Sequence, residues 1–283
     1  MTTSELLALE QVEVAFGGVR AVDGIDLVIG SEEIVSVIGP NGAGKTSLFN
    51  SVTGFYRPTG GRIRVAGRDV TRARPSAIAA LGVCRTFQNL RLFPTLSVLD
   101  NVRAGLHLRG GQSVFDALLR TPRYRRSERR GTDEAHRWLD FVGLHEGVPG
   151  AIDRAAAVGQ LPYGAQRLVE VARALAMRPR LLLLDEPAAG LNPAEKTALM
   201  DLVHRIRALG TSVVLIEHDM RLVRAVSERV VVLNFGKKIA DGTPDRVWND
   251  PAVVEAYLGA DPDYESVATG PDETVPGREE SHV

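Results

Sequence analysis

Cysteine and long apolar runs are the scarcest features of this 283-residue chain. A single cysteine, Cys84, excludes an intrachain disulfide and is typical of a protein from a reducing compartment. No stretch approaches the roughly 18 to 20 apolar residues that a membrane-spanning helix needs. Residues 1–5 lack the basic region and apolar run of a signal peptide. We therefore expect a cytoplasmic protein whose contact with a membrane would come through a partner.

An excess of charge is absent as well. The formal net charge is −1 and the sequence pI is about 6.6, which gives no reason to expect binding to nucleic acid. The length allows one large domain or two small ones. Residues 261–283 are acidic, contain glycine and proline, and have few apolar residues, so we predict a disordered tail after a folded part at 1–260.

A glycine-rich segment matches the phosphate-binding pattern G-x-x-x-x-G-K-[ST]. It consists of Gly39, Pro40, Asn41, Gly42, Ala43, Gly44, Lys45, Thr46 and Ser47. A predicted strand at 33–38 precedes it and a predicted helix begins at Ser47, so unpaired N–H groups and a helix dipole would face an anion. We expect Lys45 to bridge the β- and γ-phosphates of a nucleoside triphosphate and the Thr46 hydroxyl to hold Mg²⁺. An ordinary glycine-rich turn is the alternative, which the flanking strand and helix disfavour.

Hydrophobic periodicity predicts an α/β fold with a parallel-sheet core and an N-terminal antiparallel β lobe. Residues 6–29 alternate apolar and polar side chains around a turn at Gly17 and Gly18. Residues 181–184 are apolar throughout, as in a strand that is buried on both faces, and 212–216 is predicted to be another buried strand. Other predicted elements are a strand ending at 88, helices at 164–177 and 194–209, and a hairpin at 230–240.

The segment from 113 to 144 has a helical pattern. One predicted face carries Val114, Phe115, Leu118 and Leu119, and another carries Trp138, Phe141 and Val142. Between them lies a basic run of Arg120, Arg123, Arg125, Arg126, Arg129 and Arg130. We interpret this run as a solvated helix surface, with contact to phospholipid head groups as the alternative.

Polar side chains follow several of the predicted strands, where ligands of α/β sheets bind. Asp185 and Glu186 come after the strand at 181–184, and His218 follows the next one. We expect Asp185 to hold Mg²⁺ through water, Glu186 to polarise an attacking water and His218 to bond the γ-phosphate. Solvation of a strand end is the alternative for the carboxylates. Phe16, before the first turn, suits either stacking on adenine or core packing.

The motif order resembles the ATP-binding subunit of ABC transporters over roughly residues 5–260. The segments that carry the resemblance are the phosphate loop, Gln88, the run Leu161, Pro162, Tyr163, Gly164, Ala165 and Gln166, then Asp185-Glu186, and His218. The resemblance implies a P-loop NTPase fold with a RecA-like parallel-sheet core, an antiparallel β lobe and a helical subdomain at approximately 89–166. It implies ATP and Mg²⁺ as ligands, and Thr46, Gln88 and Asp185 at the metal. Lys45, Gln88, Glu186 and His218 would serve hydrolysis, Phe16 would stack on adenine, and Asn192 would lie in the loop that crosses a dimer interface.

Three narrower segments look like the larger ATP-binding subunit of branched-chain amino acid importers. They are residues 86–93, 186–193 and 250–259. This implies a second ABC ATPase as dimer partner, in a hetero- or homodimer, together with two transmembrane permease subunits and, indirectly, a solute-binding protein. The location implied is the cytoplasmic face of the cell membrane. No residue here would contact the solute, so urea, amides and other amino acids stay open as alternatives.

The run 161–166 departs from the family's Leu-Ser-Gly-Gly-Gln signature, which acts on the ATP bound by the partner. Pro162 replaces the serine, Tyr163 the first glycine and Ala165 the glutamine. Proline is tolerated in the first turn of a helix, but the serine hydroxyl is lost. We hypothesise two unequal ATP sites in a heterodimer.

Two other functional classes fit the sequence less well. A soluble ABC protein that acts on DNA or the ribosome would carry coiled-coil insertions or fused cassettes, and the sequence has neither heptads nor an internal repeat. A nucleotide-binding regulator without hydrolysis is disfavoured by the presence of Glu186 and His218. Leu90, Leu92 and Phe93 suit either a groove for a membrane-subunit helix or internal packing.

Overall fold

Two β-sheets organise the residues that the computed structural model describes, which are 5–107, 122–146 and 151–257. The strands are β1 (Glu5–Phe16), β2 (Val19–Gly30), β3 (Ile34–Ile38), β4 (Gly60–Val65), β5 (Arg68–Asp69), β6 (Val83–Arg85), β7 (Leu181–Asp185), β8 (Ser212–Ile216), β9 (Arg229–Asn234) and β10 (Lys237–Gly242). The helices are α1 (Lys45–Val52), α2 (Pro75–Ala80), α3 (Val98–His107), α4 (Pro122–Phe141), α5 (Tyr163–Ala176), α6 (Pro193–Ala208), α7 (Met220–Val226), α8 (Pro244–Trp248) and α9 (Pro251–Tyr257). Five of these helices begin at a proline, whose fixed φ suits the first helical position.

The smaller sheet is antiparallel and has the strand order β2-β1-β4-β5. Its first two strands are the predicted hairpin, which turns at Gly17 and Gly18 between Phe16 and Val19. Buried apolar residues of β1 and β2 form a core that these strands share with α1. The predicted N-terminal β lobe is therefore present.

The larger sheet has the order β10-β9-β3-β8-β7-β6, with parallel pairs from β9 to β6 and an antiparallel pair at β10. Every residue of β3, β7 and β8 is buried, and for β7 and β8 this burial was predicted from their largely apolar sequences. β9 and β10 form the expected hairpin. The three central strands end at the same edge, and the residues that follow them form the candidate site.

Helices α3, α4 and α5 pack against one another beside this sheet. Val102 of α3, Leu139 of α4 and Val169 of α5 share a core with Leu182 and Leu184 of β7. Among the described helices, none combines the length and apolar character that crossing a bilayer requires.

The helical pattern predicted from 113 to 144 is described from Pro122 to Phe141. Its apolar face of Val114, Phe115, Leu118 and Leu119 lies outside the described residues, as do Arg120 and the predicted tail at 261–283. The described side chains of Arg126, Arg129 and Arg130 are exposed. These three are therefore solvated, as the first interpretation of the basic run expected.

Some element ends differ from the prediction. The strand expected to end at Gln88 ends at Arg85, because Thr86 is the last residue whose backbone N–H bonds the neighbouring strand, at the carbonyl of Leu183. Helix α1 starts at Lys45, two residues before the predicted start at Ser47. Helix α5 (Tyr163–Ala176), by contrast, agrees with the predicted helix at 164–177 to within one residue at each end.

Candidate functional site

The phosphate loop joins β3 to α1 in a backbone conformation that depends on two of its glycines. Gly39 (φ 148°) and Gly44 (φ 100°) have no room for a side chain, because a Cβ there would overlap the carbonyl oxygens of Leu233 and Ala21. A Cβ at Gly42 would meet nothing within 4 Å, so this part of the loop borders open space. Neither a side-chain cap nor an acidic residue occupies the first turn of α1. Its N-terminus therefore suits a bound anion.

Lys45 is folded back over this loop. Its Nζ donates hydrogen bonds to the carbonyls of Gly39 at 2.5 Å and Pro40 at 3.0 Å. Burial lowers the pKa of the Lys45 ammonium, while the carboxylates of Glu186 and Asp185 act in the opposite direction. The ammonium thus lies between the loop and the two carboxylates. A bound triphosphate would place a phosphate oxygen closer to it than either carboxylate is.

Asp185, the last residue of β7, is buried and is not a solvated strand end. Its Oδ2 accepts a hydrogen bond of 2.6 Å from Arg85, whose other terminal nitrogen donates to Asn50 at 2.7 Å. Its Oδ1 is buried and has no hydrogen-bond partner among the residues that the structure describes. A buried carboxylate oxygen without a partner is costly, and a hydrated cation would satisfy it.

No group of three or more metal-ligating side chains occurs in the described part of the chain. This fits Mg²⁺, which is usually held by one or two protein groups together with phosphate oxygens and water. The Thr46 side chain is exposed at the start of α1, on the open side of the loop. The residues present therefore fit magnesium-bound ATP.

Glu186 follows Asp185 in a left-handed backbone conformation, with φ 47°. Its N–H donates to the carbonyl of Ile216 on β8, and its Oε2 accepts a hydrogen bond of 3.0 Å from Gln88 Nε2. A left-handed conformation costs a non-glycine residue roughly 1 kcal/mol or more and is common at functional sites. Gln88 and Glu186 are therefore together, although Gln88 lies three residues beyond the end of its strand.

His218 lies just beyond β8, the neighbour of β7, and its side chain is 62% exposed. The preceding residue, Glu217, is fully buried, and burial raises the pKa of its carboxyl group. Its two oxygens accept hydrogen bonds from the N–H groups of Ala188 at 2.7 Å and His218 at 3.2 Å. Glu217 thereby ties the backbone at His218 to the loop that follows Glu186.

Phe16 ends β1, and its side chain is 48% exposed, so it is not a core residue. Its ring meets Tyr56 edge-on, with the ring centroids 5.0 Å apart. An exposed aromatic ring supported from one side suits stacking on a base. Adenine stacking at Phe16 stays a prediction.

The signature-like segment 161–166 begins helix α5, with Pro162 at the N-cap and no side-chain cap hydrogen bond. Gln166 Nε2 donates to the carbonyl of Leu161 at 2.8 Å. Tyr163 lies over Gly190, since a Cβ at Gly190 would be 3.3 Å from the tyrosine ring. The segment therefore packs against the loop that contains Asn192, which caps α6 with Glu195 in a capping box.

Four charged residues near these motifs were not singled out from the sequence: Arg85, Arg167, Glu170 and Glu217. Arg167 and Glu170 lie on the buried face of α5, four residues before Val171 and Ala174. The sequence signal that could have identified Arg167 and Glu170 was a pair of opposite charges three residues apart on an apolar helix face. Nothing in the sequence marks Glu217, because it simply follows an apolar strand.

Comparison with known proteins agrees with the fold and identifies the family. Residues 22–189 match the ABC transporter family, and residues 237–263 match the family described as branched-chain amino acid ATP-binding cassette transporter. The high-affinity branched-chain amino acid transport ATP-binding protein BraF of Pseudomonas aeruginosa is 45% identical over 255 residues, covering 90% of this chain and 98% of that protein. Its counterpart LivG of Escherichia coli is 44% identical over 255 residues, with the same shares of both chains, 90% and 98%.

A solved structure is similar over nearly the whole fold. The ADP conformation of MJ1267, an ATP-binding cassette of an ABC transporter, superposes with a TM-score of 0.75 at 30% identity and covers 91% of this chain and 100% of that one. The likeness extends from the sheets to the helical part, so the P-loop α/β fold expected from the sequence is confirmed. The chain belongs to the ATP-binding subunits of ABC transporters, in the family that includes the branched-chain amino acid transport ATP-binding proteins.

Proposed function

We propose that this chain binds and hydrolyses ATP to energise an ABC importer of branched-chain amino acids from the cytoplasmic face of the cell membrane. One observation supports the ATPase role above all. One sheet edge brings together Lys45, Asp185, Glu186 and Gln88. At this edge the Gln88 side chain donates a hydrogen bond to Glu186, and a buried oxygen of Asp185 has no hydrogen-bond partner among the described residues. A nucleotide-binding regulator would not need a glutamate held in this way.

Each of these side chains has a distinct part in the proposed reaction. The loop from Gly39 to Ser47 and the Lys45 ammonium bind the phosphates, and Phe16 stacks on adenine. Thr46, Gln88 and Asp185 would hold Mg²⁺, which supplies charge neutralisation at the β- and γ-phosphates when it is bound.

Glu186 orients the attacking water and accepts its proton, because its carboxylate accepts a hydrogen bond from Gln88 and has no salt bridge to an arginine such as Asp185 has, among the described residues. His218 donates a hydrogen bond toward the γ-phosphate from its exposed position after β8. Asp185 is already paired with Arg85, so it is the less available base of the two carboxylates.

The rest of the assembly follows from the family. A second ABC ATPase, identical to this chain or different from it, would face the phosphate loop with its own signature segment, while residues 161–166 of this chain act on the partner's ATP. Two transmembrane permease subunits would dock near Gln88, and a solute-binding protein would deliver the solute. Phe93 is 51% exposed and suits the permease contact, whereas Leu92 is partly buried and packs against the core.

Branched-chain amino acids are the proposed solutes because the relatives described above carry that name. The full chain should be purified with its co-purifying membrane subunits, reconstituted in vesicles, and assayed for MgATP-driven uptake of leucine, with urea as the competing solute. Leucine uptake that needs MgATP supports the proposal. Uptake of urea in its place would retain the ATPase role and reject the solute.

A further inference from the structure

Arg167 is the largest side chain that is fully buried in the described part of the chain, with 1% of its surface exposed. It lies on α5, directly after the signature-like segment 161–166. Burying a guanidinium is costly unless most of its donors are paired, so its partners show what it holds in place. Both terminal nitrogens of Arg167 have partners, whereas its Nε has none among the described residues.

The first set of partners is the backbone around Gln88. Arg167 Nη1 donates to the carbonyl of Phe87 at 2.7 Å, and Nη2 donates to the carbonyl of Gln88 at 3.2 Å. Glu170, one turn further along α5, accepts from the N–H groups of Phe87 at 3.4 Å and Arg91 at 3.3 Å. The buried pair therefore holds both the donors and the acceptors of the segment that carries Gln88.

The second set of partners lies in two other motifs. Arg167 Nη2 also donates to the hydroxyl of Tyr163 at 2.8 Å, and lies 3.4 Å from the backbone carbonyl of Glu186. The guanidinium carbon is 5.5 Å from the centroid of the Tyr163 ring. One cation thus joins the signature-like segment, the Gln88 segment and Glu186.

We propose that Arg167 is a positioning residue that couples Tyr163 to the Gln88–Glu186 hydrogen bond of the same chain. This rests on the proposed function, in which segment 161–166 contacts the partner's ATP while Gln88 and Glu186 serve the chain's own ATP. A shift of Tyr163 toward or away from the partner's nucleotide moves the guanidinium to which it is bonded. The guanidinium in turn moves the backbone carbonyls of Gln88 and Glu186, so the two ATP sites of a dimer are linked through Arg167.

The planar guanidinium is what makes this link specific. Its fixed fork of donors serves several acceptors at once, whereas a lysine ammonium has three donors on a flexible stem. Arg167→Lys therefore retains the buried charge and loses the fixed geometry. Its matched control is Arg178→Lys, because Arg178 follows the same helix and pairs with Glu134 at the surface.

The first experiment compares these two variants in the full chain, assembled with its co-purifying transporter subunits. For Arg167→Lys we expect kcat for ATP hydrolysis to fall about tenfold or more, as a lost charged hydrogen bond would cause. The dissociation constant for MgATP should stay near the wild-type value, because Lys45 and the phosphate loop are intact. Arg178→Lys should match the wild type. An unchanged kcat in a folded Arg167→Lys variant would overturn the proposal.

The second experiment is a double-mutant cycle, which separates coupling from a general structural role. Tyr163→Phe removes only the hydroxyl that bonds Arg167, and we expect it to lower kcat about fivefold or more. In a Gln88→Ala background the same change should have no further effect, since the group it acts through is gone. Effects that simply multiply would reject the coupling. This cycle also decides the matter if Arg167→Lys does not fold.

The two proposals fail in different ways. If the assembled wild-type protein neither binds MgATP nor hydrolyses it, the proposed function is wrong. If the wild type is active and the cycle shows no coupling between Tyr163 and Gln88, only the role of Arg167 is wrong.

Discussion

The nucleotide edge of the large sheet and the signature-like segment at the start of α5 differ in how well they match the family pattern. The nucleotide edge keeps Lys45 and Thr46 at the start of α1, and Asp185, Glu186 and His218 at or just after the end of a buried strand. The segment 161–166 has proline at the serine position and alanine at the glutamine position. The chain thus retains the groups proposed to bind its own ATP and alters those proposed to act on the partner's.

The two regions also differ in what stabilises them. The strands β3, β7 and β8 are held by burial of apolar side chains on both faces. The start of α5 is held through the buried Arg167–Glu170 pair, in which burial raises the pKa of the Glu170 carboxyl group. Loss of one member of a buried pair costs far more than loss of a surface contact. Substitutions at the two regions should therefore have separable effects.

The largest effect is expected at the nucleotide edge, from Glu186→Gln. Turnover of ATP should fall about 10²- to 10⁴-fold, because the proton acceptor is lost while the shape is kept. MgATP binding, measured by titration calorimetry, should stay close to wild type. Glu134→Gln, a surface change of the same kind, is the control. Persistent turnover in Glu186→Gln would show that another group is the base.

A large effect on binding is expected from Lys45→Ala at the same edge. The affinity for MgATP should fall about 30-fold or more, since truncating a charge that pairs with a bound partner costs about 2 kcal/mol or more. Equilibrium dialysis of the purified chain measures it. Thr197→Ala, on the exposed first turn of α6, should bind MgATP as the wild type does. Equal affinities for wild type and Lys45→Ala would contradict the proposal that the phosphate loop binds MgATP.

A smaller effect is expected at the signature-like segment. Pro162→Ser restores a hydroxyl, and turnover by the assembled complex should rise up to about tenfold. Pro162→Ala removes the ring without adding the hydroxyl, so it should leave turnover low. The proposed difference between the nucleotide edge and segment 161–166 would be wrong if Pro162→Ser left turnover unchanged, or if Pro162→Ala raised turnover equally.

The smallest effect is expected for chemical modification of Cys84, at the boundary between the larger sheet and α5. Burial raises the pKa of the Cys84 thiol on β6 to about 12, and its Sγ lies 3.6 Å from Met177 Sδ, just after α5. At pH 8 only about one molecule in 10⁴ would carry the thiolate, so a disulfide reagent should not modify the native chain. Rapid modification in the presence of MgATP would mean that α5 separates from β6 when nucleotide binds.

The phosphate loop, the buried strands and the β9–β10 hairpin were predictable because their signals are local. Apolar runs, alternation and a glycine-lysine motif depend on neighbours in sequence, and β7 and β8 appear where those signals placed them. The end of β6 was less predictable. Whether the strand ends at Arg85 or at Gln88 depends on how far the adjacent strand offers hydrogen-bond partners, and no local sequence signal shows this.

By itself the sequence determined the fold class, the family and the residues proposed to surround ATP, because each depends on a short stretch of the chain. Only the tertiary structure decided that Arg85 neutralises Asp185, that Glu217 ties His218 to Ala188, and that Arg167 joins Tyr163 to Gln88. Most of these contacts join residues far apart in the chain, and each depends on a charge being buried beside its partner. A charged residue looks the same in sequence whether it faces water or a buried carbonyl, and packing alone separates the two cases.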